Sequence, residues 1–183
     1  MDMKARIFEI AQRLIQQRGV NGFSYADIAK EVGVSKPSLH HHFATKTDLI
    51  ARLMERYTEQ LTEYLESYSG SPAQEALNAY FALYQQNLEN ERACMGGMLS
   101  AEILTLDPSI HPLLSHFFSY QQEWLATVLE KGRSTKELNI TKTAEQQACL
   151  IIAALQGALV ISRAAGSSTF LDQSIAGLHA ELT

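Results

Sequence analysis

Apolar residues in this chain recur every three or four positions, and this spacing restricts the fold more than any other feature of the sequence. Near the start, Ile7, Ile10, Ala11 and Leu14 share one face of a helix with about 3.6 residues per turn. The same period returns in successive segments of the 183 residues, and no segment alternates as a half-buried strand would. The sequence therefore predicts an all-α protein of about nine helices.

Capping residues divide the first part of the chain into short helices. Ser24, with Asp27 three positions later, has the pattern of a capping box that opens a second helix. Ser35 caps a third helix, and Pro37 lies in its first turn, where a missing N–H costs little. Residues 25–43 therefore have the layout of a helix–turn–helix, followed by longer helices.

Three small or apolar residues fit that layout. Ala29 is small enough for the two helices to cross closely, Gly33 lies four positions later in the turn, and Leu39 is expected to face inward. A generic helical hairpin has the same spacing, so the spacing alone does not distinguish it from a helix that enters a DNA groove.

The distribution of charge favours nucleic acid as the partner of this segment. The net charge is −5, but residues 1–50 carry seven Lys and Arg against five Asp and Glu, whereas residues 51–183 carry eight against fifteen. A slightly basic head on an acidic body directs the head toward a polyanion.

Other features of the sequence bound the location of the protein. No run of about 18 apolar residues is present, and the N-terminal MDMKARIFEIAQRL lacks the apolar core of a signal peptide. Cys94 and Cys149 lack CxxC spacing and are expected to be free thiols, with Cys149 in inert packing. We therefore expect a cytoplasmic protein with no membrane span.

The stretch FSYADIAKEVGVSKPSLHHHFATKTDLIARLMERY resembles the TetR family of bacterial repressors. The resemblance covers about the first 50 residues, and the remainder fits the family in helix count and length. His40 departs from the pattern, because the family has a phosphate-contacting Tyr at this position. The positions that fit are Ile28, Ala29, Gly33, Val34, Ser35, Pro37, Ser38, Leu39, His42, Phe43, Lys46 and Leu49.

The resemblance implies a DNA-binding domain over residues 1–46 and a helical ligand-binding and dimerisation domain over residues 47–183. Lys36 is expected to bond guanine acceptors, and the Pro37 ring to pack on a thymine methyl group. Phosphate contacts are expected from Ser24, Tyr25 and Lys46. The full set of expected DNA contacts is Ser24, Tyr25, Lys36, Pro37, Ser38, His40, His41, His42 and Lys46.

The three consecutive histidines have two interpretations besides a purification tag, which their internal position excludes. On a helix, consecutive side chains point about 100° apart and cannot converge on one metal ion. We therefore expect no metal and no cofactor. Because the charge of histidine depends on pH, we expect the phosphate affinity of His40 to strengthen on acidification.

The segment ACLIIAALQGALVISRAAG is apolar on nearly every face, so it must be buried on nearly every face. Because one head offers few base contacts, we expect a homodimer that binds two half-sites of double-stranded operator DNA, with this segment between the copies. A fully internal helix in a monomer is the alternative. The expected interface residues are Ile151, Ile152, Leu155, Ala158, Leu159, Phe170, Leu171, Ile175 and Leu178.

The resemblance also implies a pocket for a small-molecule inducer, which would shift the fourth helix and change the spacing of the two heads. Few charges occur among the candidate residues, so an apolar or aromatic inducer is expected, although each residue also suits plain core packing. The candidates are Tyr57, Leu61, Tyr64, Tyr84, Cys94, Met95, Met98, Phe117, Phe118, Trp124 and Gln156.

Several alternatives to an inducer-released repressor stay open. Cys94 lies near a predicted helix N-terminus and near Arg92, both of which lower the pKa of a thiol, and its surroundings resemble relatives that sense electrophiles or oxidants. A helical interaction protein with a silent head is a second alternative, and an activator is a third.

Enzymatic function is not expected. The sequence contains no HExxH, Walker, GxSxG or GxGxxG motif. His111 and His116 with Glu102 or Asp107 are the remaining candidates for a metal or acid–base cluster, but nothing fixes their spacing, and a solvated helix end explains them as well.

Overall fold

The structure, a computed structural model, describes residues 2–183, and all regular secondary structure in these residues is helical. Nine α-helices occur in this range, which confirms the predicted all-α fold. Two short 3-10 turns, Ile103–Thr105 and Pro108–Ile110, precede the seventh helix. The helices are α1 (Met3–Arg18), α2 (Tyr25–Val32), α3 (Lys36–His42), α4 (Lys46–Glu66), α5 (Ala73–Glu89), α6 (Met95–Ala101), α7 (His111–Thr135), α8 (Ala144–Ala165) and α9 (Thr169–Leu182).

The chain divides into two compact units that alternate along the sequence. The first comprises residues up to Glu59 together with Cys94–Phe117, and the second comprises Gln60–Ala93 and Phe118–Thr183. The domain boundary expected after residue 46 falls at the start of α4, and the residues of α4 up to Glu59 belong to the first unit. Periodicity and caps locate the start of a helix, but they do not tell which neighbours the helix packs against, and so the sequence grouped Cys94–Phe117 with the body.

The predicted capping box is present at the start of α2. The Ser24 hydroxyl oxygen accepts a hydrogen bond from the Asp27 N–H at 3.2 Å, and the Asp27 carboxylate accepts one from the Ser24 N–H at 2.7 Å. At the other end, Gly33 adopts φ +81°, a left-handed conformation that glycine enters without strain, and its N–H bonds to the carbonyl oxygen of Ala29. These bonds end α2 sharply and allow α3 to begin three residues later.

Apolar side chains from α1 to α4 form the core of the first unit. The rings of Phe8 and Phe43 lie 5.1 Å apart between centroids. Leu39 is the buried residue of α3 and is fully inaccessible, as is Phe43. The expectation that Leu39 faces inward is confirmed, and Phe43, which the sequence also favours as a core residue, is buried beside it.

In the second unit, α7 extends further than expected. The sequence predicts an end near Lys131, with GRSTKELNIT as a loop. The helix instead continues to Thr135. A Cβ at Gly132 would lie 2.4 Å from Cδ1 of Leu138 and 2.8 Å from Cβ of Ala73, so this glycine permits close packing rather than a break.

Helix α8 packs against α5 and α9 in the second unit. The Ser162 hydroxyl oxygen accepts the Leu171 N–H at 3.0 Å, which joins the two last helices. Contrary to the expectation of no membrane-length apolar segment, α8 is long and apolar enough to cross a membrane, with 33% of its most apolar stretch buried. Core helices of soluble proteins meet the same criterion, so length and composition alone are weak evidence for a membrane span.

Candidate nucleic-acid interface

Helix α3 offers nearly all of its side chains to the surface. Ser35 caps the helix, since its hydroxyl oxygen accepts the Ser38 N–H at 3.3 Å, and Leu39 attaches the helix to the core. The exposed residues are Lys36, Pro37, His40 and His41, and the half-buried residues are Ser38 and His42. The structure thus brings the residues expected to face the groove together on one short helix.

His40 is held in a defined orientation. Its Nδ1 lies 3.0 Å from the carbonyl oxygen of Ala44, and its ring centroid lies 4.7 Å from that of Tyr25. Because a carbonyl oxygen only accepts hydrogen bonds, this contact requires the proton on Nδ1. The second nitrogen, Nε2, is then an acceptor in the neutral ring and a donor in the charged ring, so only the charged ring can bond a phosphate oxygen through Nε2.

The hydroxyl of Tyr25 is directed inward, which corrects its expected role as a phosphate contact. It donates to the carbonyl oxygen of Phe43 at 2.5 Å. Burial, and secondarily the nearby charge of Asp48, raise the pKa of Tyr25. Since the single hydroxyl proton is used at Phe43, none remains to donate to a phosphate. Tyr25 instead holds the turn that follows α3.

Lys46 is also bonded within the chain. Its ammonium group donates to the carbonyl oxygens of Val20 and Phe23, both at 2.5 Å, and lies 4.1 Å from the centroid of the Phe23 ring. Burial lowers the pKa of Lys46. Two of its three ammonium protons thus bond the turn between α1 and α2, and the third remains for the expected phosphate contact, which stays a prediction.

Ser24 is also engaged within the chain, because its hydroxyl donates to the Asp27 carboxylate at 2.7 Å. The capping-box pattern was the sequence signal for this use of the hydroxyl, and it outweighs the expected phosphate contact. No local sequence pattern predicts the hydrogen bonds of Tyr25 and Lys46. Their partners lie 18 positions away for Tyr25 and 23 and 26 positions away for Lys46.

Glu102 provides a contact that the sequence did not suggest. Its carboxylate accepts the N–H groups of Val20 and Asn21 at 2.5 and 3.3 Å. In the sequence, Glu102 was a candidate only for a metal or acid–base cluster with His111 and His116. Within residues 2–183, no group of three His, Cys, Asp or Glu residues is arranged to hold a metal ion.

Comparison with known proteins identifies both parts of the chain. Residues 7–53 match the family model for bacterial regulatory proteins of the tetR family. Residues 72–176 match the model for the C-terminal domain of LmrA/YxaF-like transcriptional regulators. The chain belongs to the TetR family. This confirms the resemblance of the first 50 residues and extends it to the body.

Solved structures and a curated relative agree with this assignment. The chain is similar to a TetR-family regulator from Agrobacterium tumefaciens, with 29% identity and a TM-score of 0.94 over 99% of this chain and 97% of the other. It is similar to a TetR regulator from Legionella pneumophila, with 28% identity and a TM-score of 0.91 over 100% and 98%. The uncharacterized HTH-type transcriptional regulator YxaF of Bacillus subtilis is 24% identical over 168 residues, covering 88% of this chain and 85% of YxaF.

TetR-family proteins bind operator DNA and form dimers, and they are regulators rather than enzymes. This protein is therefore a TetR-family helix–turn–helix transcriptional regulator. The head built by α1 to α3 is the part of the chain on which its DNA contacts are to be sought.

The residues expected to line the inducer pocket are divided between the two units. Those in the first unit are Tyr57, Cys94, Met95, Met98 and Phe117, and those in the second are Leu61, Tyr64, Tyr84, Phe118, Trp124 and Gln156. In the first unit, the rings of Tyr57 and Phe117 lie 5.6 Å apart, and a Cβ at Gly96 would lie 2.4 Å from Phe117. Cys94 is 5% exposed, so its thiol is largely shielded from solvent.

In the second unit, four polar side chains form a chain of hydrogen bonds. Gln156 Nε2 donates to the Tyr84 hydroxyl at 3.2 Å, the Tyr84 and Tyr80 hydroxyls are 3.2 Å apart, and Tyr80 donates to Gln121 Oε1 at 2.8 Å. Tyr80, Tyr84 and Gln121 are buried. The sequence did not single out Tyr80 or Gln121. The available signal was the position of Gln121, a polar residue that falls on the apolar face of α7, where a buried hydrogen bond is expected.

Trp124 borders a cavity of about 290 Å³ in the second unit. Tyr68, Tyr120 and Glu66 contribute to the same wall, and the Tyr120 hydroxyl donates to Glu66 at 3.0 Å. Trp124 is the single tryptophan of the sequence. Its fluorescence therefore reports directly on the environment of this part of the body.

The exposed apolar face of α8 and α9 differs from the expected dimer residues. Seven of the nine expected residues are buried within the chain, namely Ile151, Leu155, Ala158, Leu159, Leu171, Ile175 and Leu178. Ile152 is half-buried, and Phe170 is exposed. A helix that is apolar all round has no polar face to mark its orientation, so the sequence could not separate the inner residues from the outer ones.

On α8 and α9, the large apolar side chains that face outward are Leu150, Val160 and Ile161, which are 46%, 55% and 45% exposed, and Phe170, which is 49% exposed. We call these four residues the outer apolar face. Cys149 is also exposed, which corrects its expected place in inert packing.

Proposed function

We propose that this TetR-family regulator is a repressor, which binds a two-fold symmetric operator as a homodimer and is released by a small, mostly apolar or aromatic inducer. The exposed surface of α3 carries the DNA-binding part of the proposal. Lys36, Pro37, His40 and His41 are free of the core, while Leu39 and the Ser35 cap hold the helix in place. Such a helix suits insertion of its N-terminal residues into a major groove.

The outer apolar face supports the proposed homodimer. Soluble monomers rarely leave several large apolar side chains exposed on adjacent helices. Leu150, Val160 and Ile161 fall on one side of α8, and Phe170 begins the neighbouring α9. A second copy would cover this face and thereby keep α8 in a soluble, cytoplasmic protein.

The chemistry of the second unit supports the proposed class of inducer. The hydrogen-bonded chain from Gln156 to Gln121 lies among aromatic rings, with Tyr80 and Trp124 stacked at 6.1 Å. The cavity beside Trp124 is also lined by Tyr68 and Tyr120, and an aromatic wall with a few hydrogen-bonding groups suits a flat aromatic ligand that carries hydroxyl or carbonyl groups. Quenching or a spectral shift of Trp124 fluorescence, followed by release of operator, would identify such a ligand.

The first experiment is selection from random double-stranded DNA with the full-length protein. We expect a two-fold symmetric sequence whose binding weakens steeply with salt, since phosphate contacts release counterions. Lys36→Ala should weaken binding and relax the preference at one base position by roughly 1–3 kcal/mol. Lys136→Ala, which removes an exposed charge from the second unit, is the matched control and should bind normally.

Two outcomes would contradict the proposal. Failure to enrich any sequence would favour a helical interaction protein with a silent head. Stimulation of transcription from a promoter that carries the selected site would identify an activator in place of a repressor. Sensing through Cys94 gains no support from its burial, and a Cys94→Ser protein should still respond to its inducer.

A further inference from the structure

We propose that Glu102 is a positioning residue for operator binding. Its carboxylate fixes the turn between α1 and α2, and so it sets the angle at which α2 and α3 are presented to DNA and the half-site spacing that the dimer accepts. This inference rests on the proposed function, because half-site spacing has meaning only for a dimer that reads an operator.

The first step is the bonding of the turn through its N–H groups. Glu102 Oε2 accepts the Val20 N–H at 2.5 Å, and Oε1 accepts the Asn21 N–H at 3.3 Å. The Asn21 side chain adds a third bond to Oε1 at 3.2 Å and a bond to the Thr105 hydroxyl at 2.8 Å. Hydrogen bonds to a carboxylate are stronger than neutral ones, so this contact has a defined geometry.

The second step is the bonding of the same turn through its carbonyl groups. Lys46, the first residue of α4, donates to the carbonyl oxygens of Val20 and Phe23. The attraction of Glu102 counteracts part of the effect of burial on the pKa of Lys46. An anion therefore binds the N–H side of the turn, and a cation binds the carbonyl side. The backbone of Val20 is bonded by both.

The third step is the lack of space around the carboxylate. Gly19 has φ +73°, and a Cβ built there would lie 2.7 Å from Glu102 Oε1 and 3.0 Å from the carboxyl carbon. Glycine at this position therefore allows both the conformation of the turn and the close approach of Glu102. The turn and the carboxylate fit together as a pair.

The fourth step concerns the segment that carries Glu102. Residues 72–176 match the C-terminal family model, which includes α6 and Glu102. In the structure, however, Cys94–Phe117 belongs to the same compact unit as the head, and α6 packs against α1. Glu102 thus bonds the α1–α2 turn of the head to a segment that the C-terminal family model includes.

The consequence for DNA binding follows from geometry. A dimer recognises two half-sites at a fixed separation, because each head has a fixed orientation. If the turn between α1 and α2 loosens, the heads tilt more freely, and operators with altered separation compete better. Overall stability and the chemistry of α3 need not change.

The test combines two measurements on full-length Glu102→Ala, with Glu9→Ala as the matched control for loss of one negative charge from an exposed position of α1. Hydrogen exchange measures the Val20 and Asn21 amides. Binding is measured to the selected operator and to versions with one base pair added or removed between half-sites. Circular dichroism checks that each variant is folded.

We expect Glu102→Ala to speed exchange of both amides and to reduce the preference for the native spacing by roughly tenfold, the equivalent of one hydrogen bond to a charged group. Glu9→Ala should change neither. Glu102→Gln retains an acceptor for Val20 and should give an intermediate spacing preference, which also keeps the test valid if the alanine variant unfolds.

Three results would overturn the inference. Unchanged amide exchange would show that Glu102 does not hold the turn. Faster exchange with an unchanged spacing preference would show that the turn does not position the heads. If the wild-type protein selects no DNA, the proposed function fails first and the inference fails with it, whatever the amides report.

Discussion

At the scale of single residues, Ser24 illustrates how a side chain expected at DNA can be used within the chain. Its hydroxyl and its N–H both bond Asp27, and these bonds lower the pKa of Asp27. We expect Ser24→Ala to lower the free energy of unfolding at pH 7 by about 1 kcal/mol, a usual value for an N-cap.

The pH dependence of this effect has a definite sign. Because the pKa of Asp27 is lowered in the folded state, its stabilisation is complete above the usual carboxyl pKa and disappears as the pH falls through the lowered value. Urea unfolding of wild type and Ser24→Ala should therefore show a smaller difference at pH 3 than at pH 7. An equal or larger difference in acid would contradict the role of the Asp27 carboxylate.

His40 leads to a prediction about DNA binding. Its Nδ1 is used at the Ala44 carbonyl, so protonation turns Nε2 from an acceptor into a donor. We expect operator affinity to rise on acidification, and His40→Tyr to reduce this rise. Fluorescence anisotropy at constant ionic strength measures both. An identical pH profile for the two proteins would reject the idea.

The sequence predicted residue roles well where the partner is local. The cap at Ser24 and the inward position of Leu39 followed from spacing. The hydrogen bonds of the Tyr25 hydroxyl and the Lys46 ammonium group could not be predicted in this way. Their acceptors are carbonyl oxygens distant in sequence, which only the three-dimensional structure identifies.

At the scale of elements, Gly132 determines how closely α7 packs. A methyl group there would lie within 2.8 Å of both Leu138 and Ala73, which belong to neighbouring segments of the second unit. We expect Gly132→Ala to lower the free energy of unfolding by roughly 1–3 kcal/mol, as overpacking usually does. Gly70→Ala, where a Cβ meets open space, is the control and should be neutral or slightly stabilising in the same urea titration.

Element boundaries were predictable where a cap marks them. Thr143 opens α8 with a capping box, and Gly166 ends it in a left-handed conformation, close to the limits that the sequence predicts, Thr143 to about Ala165. The end of α7 was missed because GRST, the first part of the predicted loop, continues the helix, with Gly132 packed closely against its neighbours. The sequence around Gly132 does not show which neighbour approaches it.

At the scale of the whole molecule, the outer apolar face should control assembly. We expect Val160→Glu to weaken the dimer by roughly a hundredfold or more, since an unpaired charge would be buried between copies. Helix content should be retained because Val160 is 55% exposed in the single chain. Sedimentation at several protein concentrations, with circular dichroism alongside, measures both properties.

A buried neighbour on the same helix provides the contrast. Leu155 is fully inaccessible, so Leu155→Ala should lower the free energy of unfolding by about 2–5 kcal/mol, with assembly affected only as a result. If Val160→Glu remains dimeric, or if it unfolds as Leu155→Ala does, the proposed use of the outer apolar face is wrong.

The family and the all-α class were predictable from sequence. The alternation of the two compact units along the chain was not, because Cys94–Phe117 has the same helical period as its neighbours. Periodicity describes one helix at a time. Which helices share a core depends on contacts between side chains that lie far apart in the sequence.

The anatomy of α3 bears on how regulators of this kind acquire new targets. Of its seven residues, Leu39 is the one buried in the core, and the Ser35 cap lies just outside the helix. The exposed side chains of Lys36 and His41 contribute little to folding, so mutations there can accumulate without destabilising the scaffold. Gene duplication followed by mutation at these positions would give a second regulator that binds a different operator sequence and keeps the same fold.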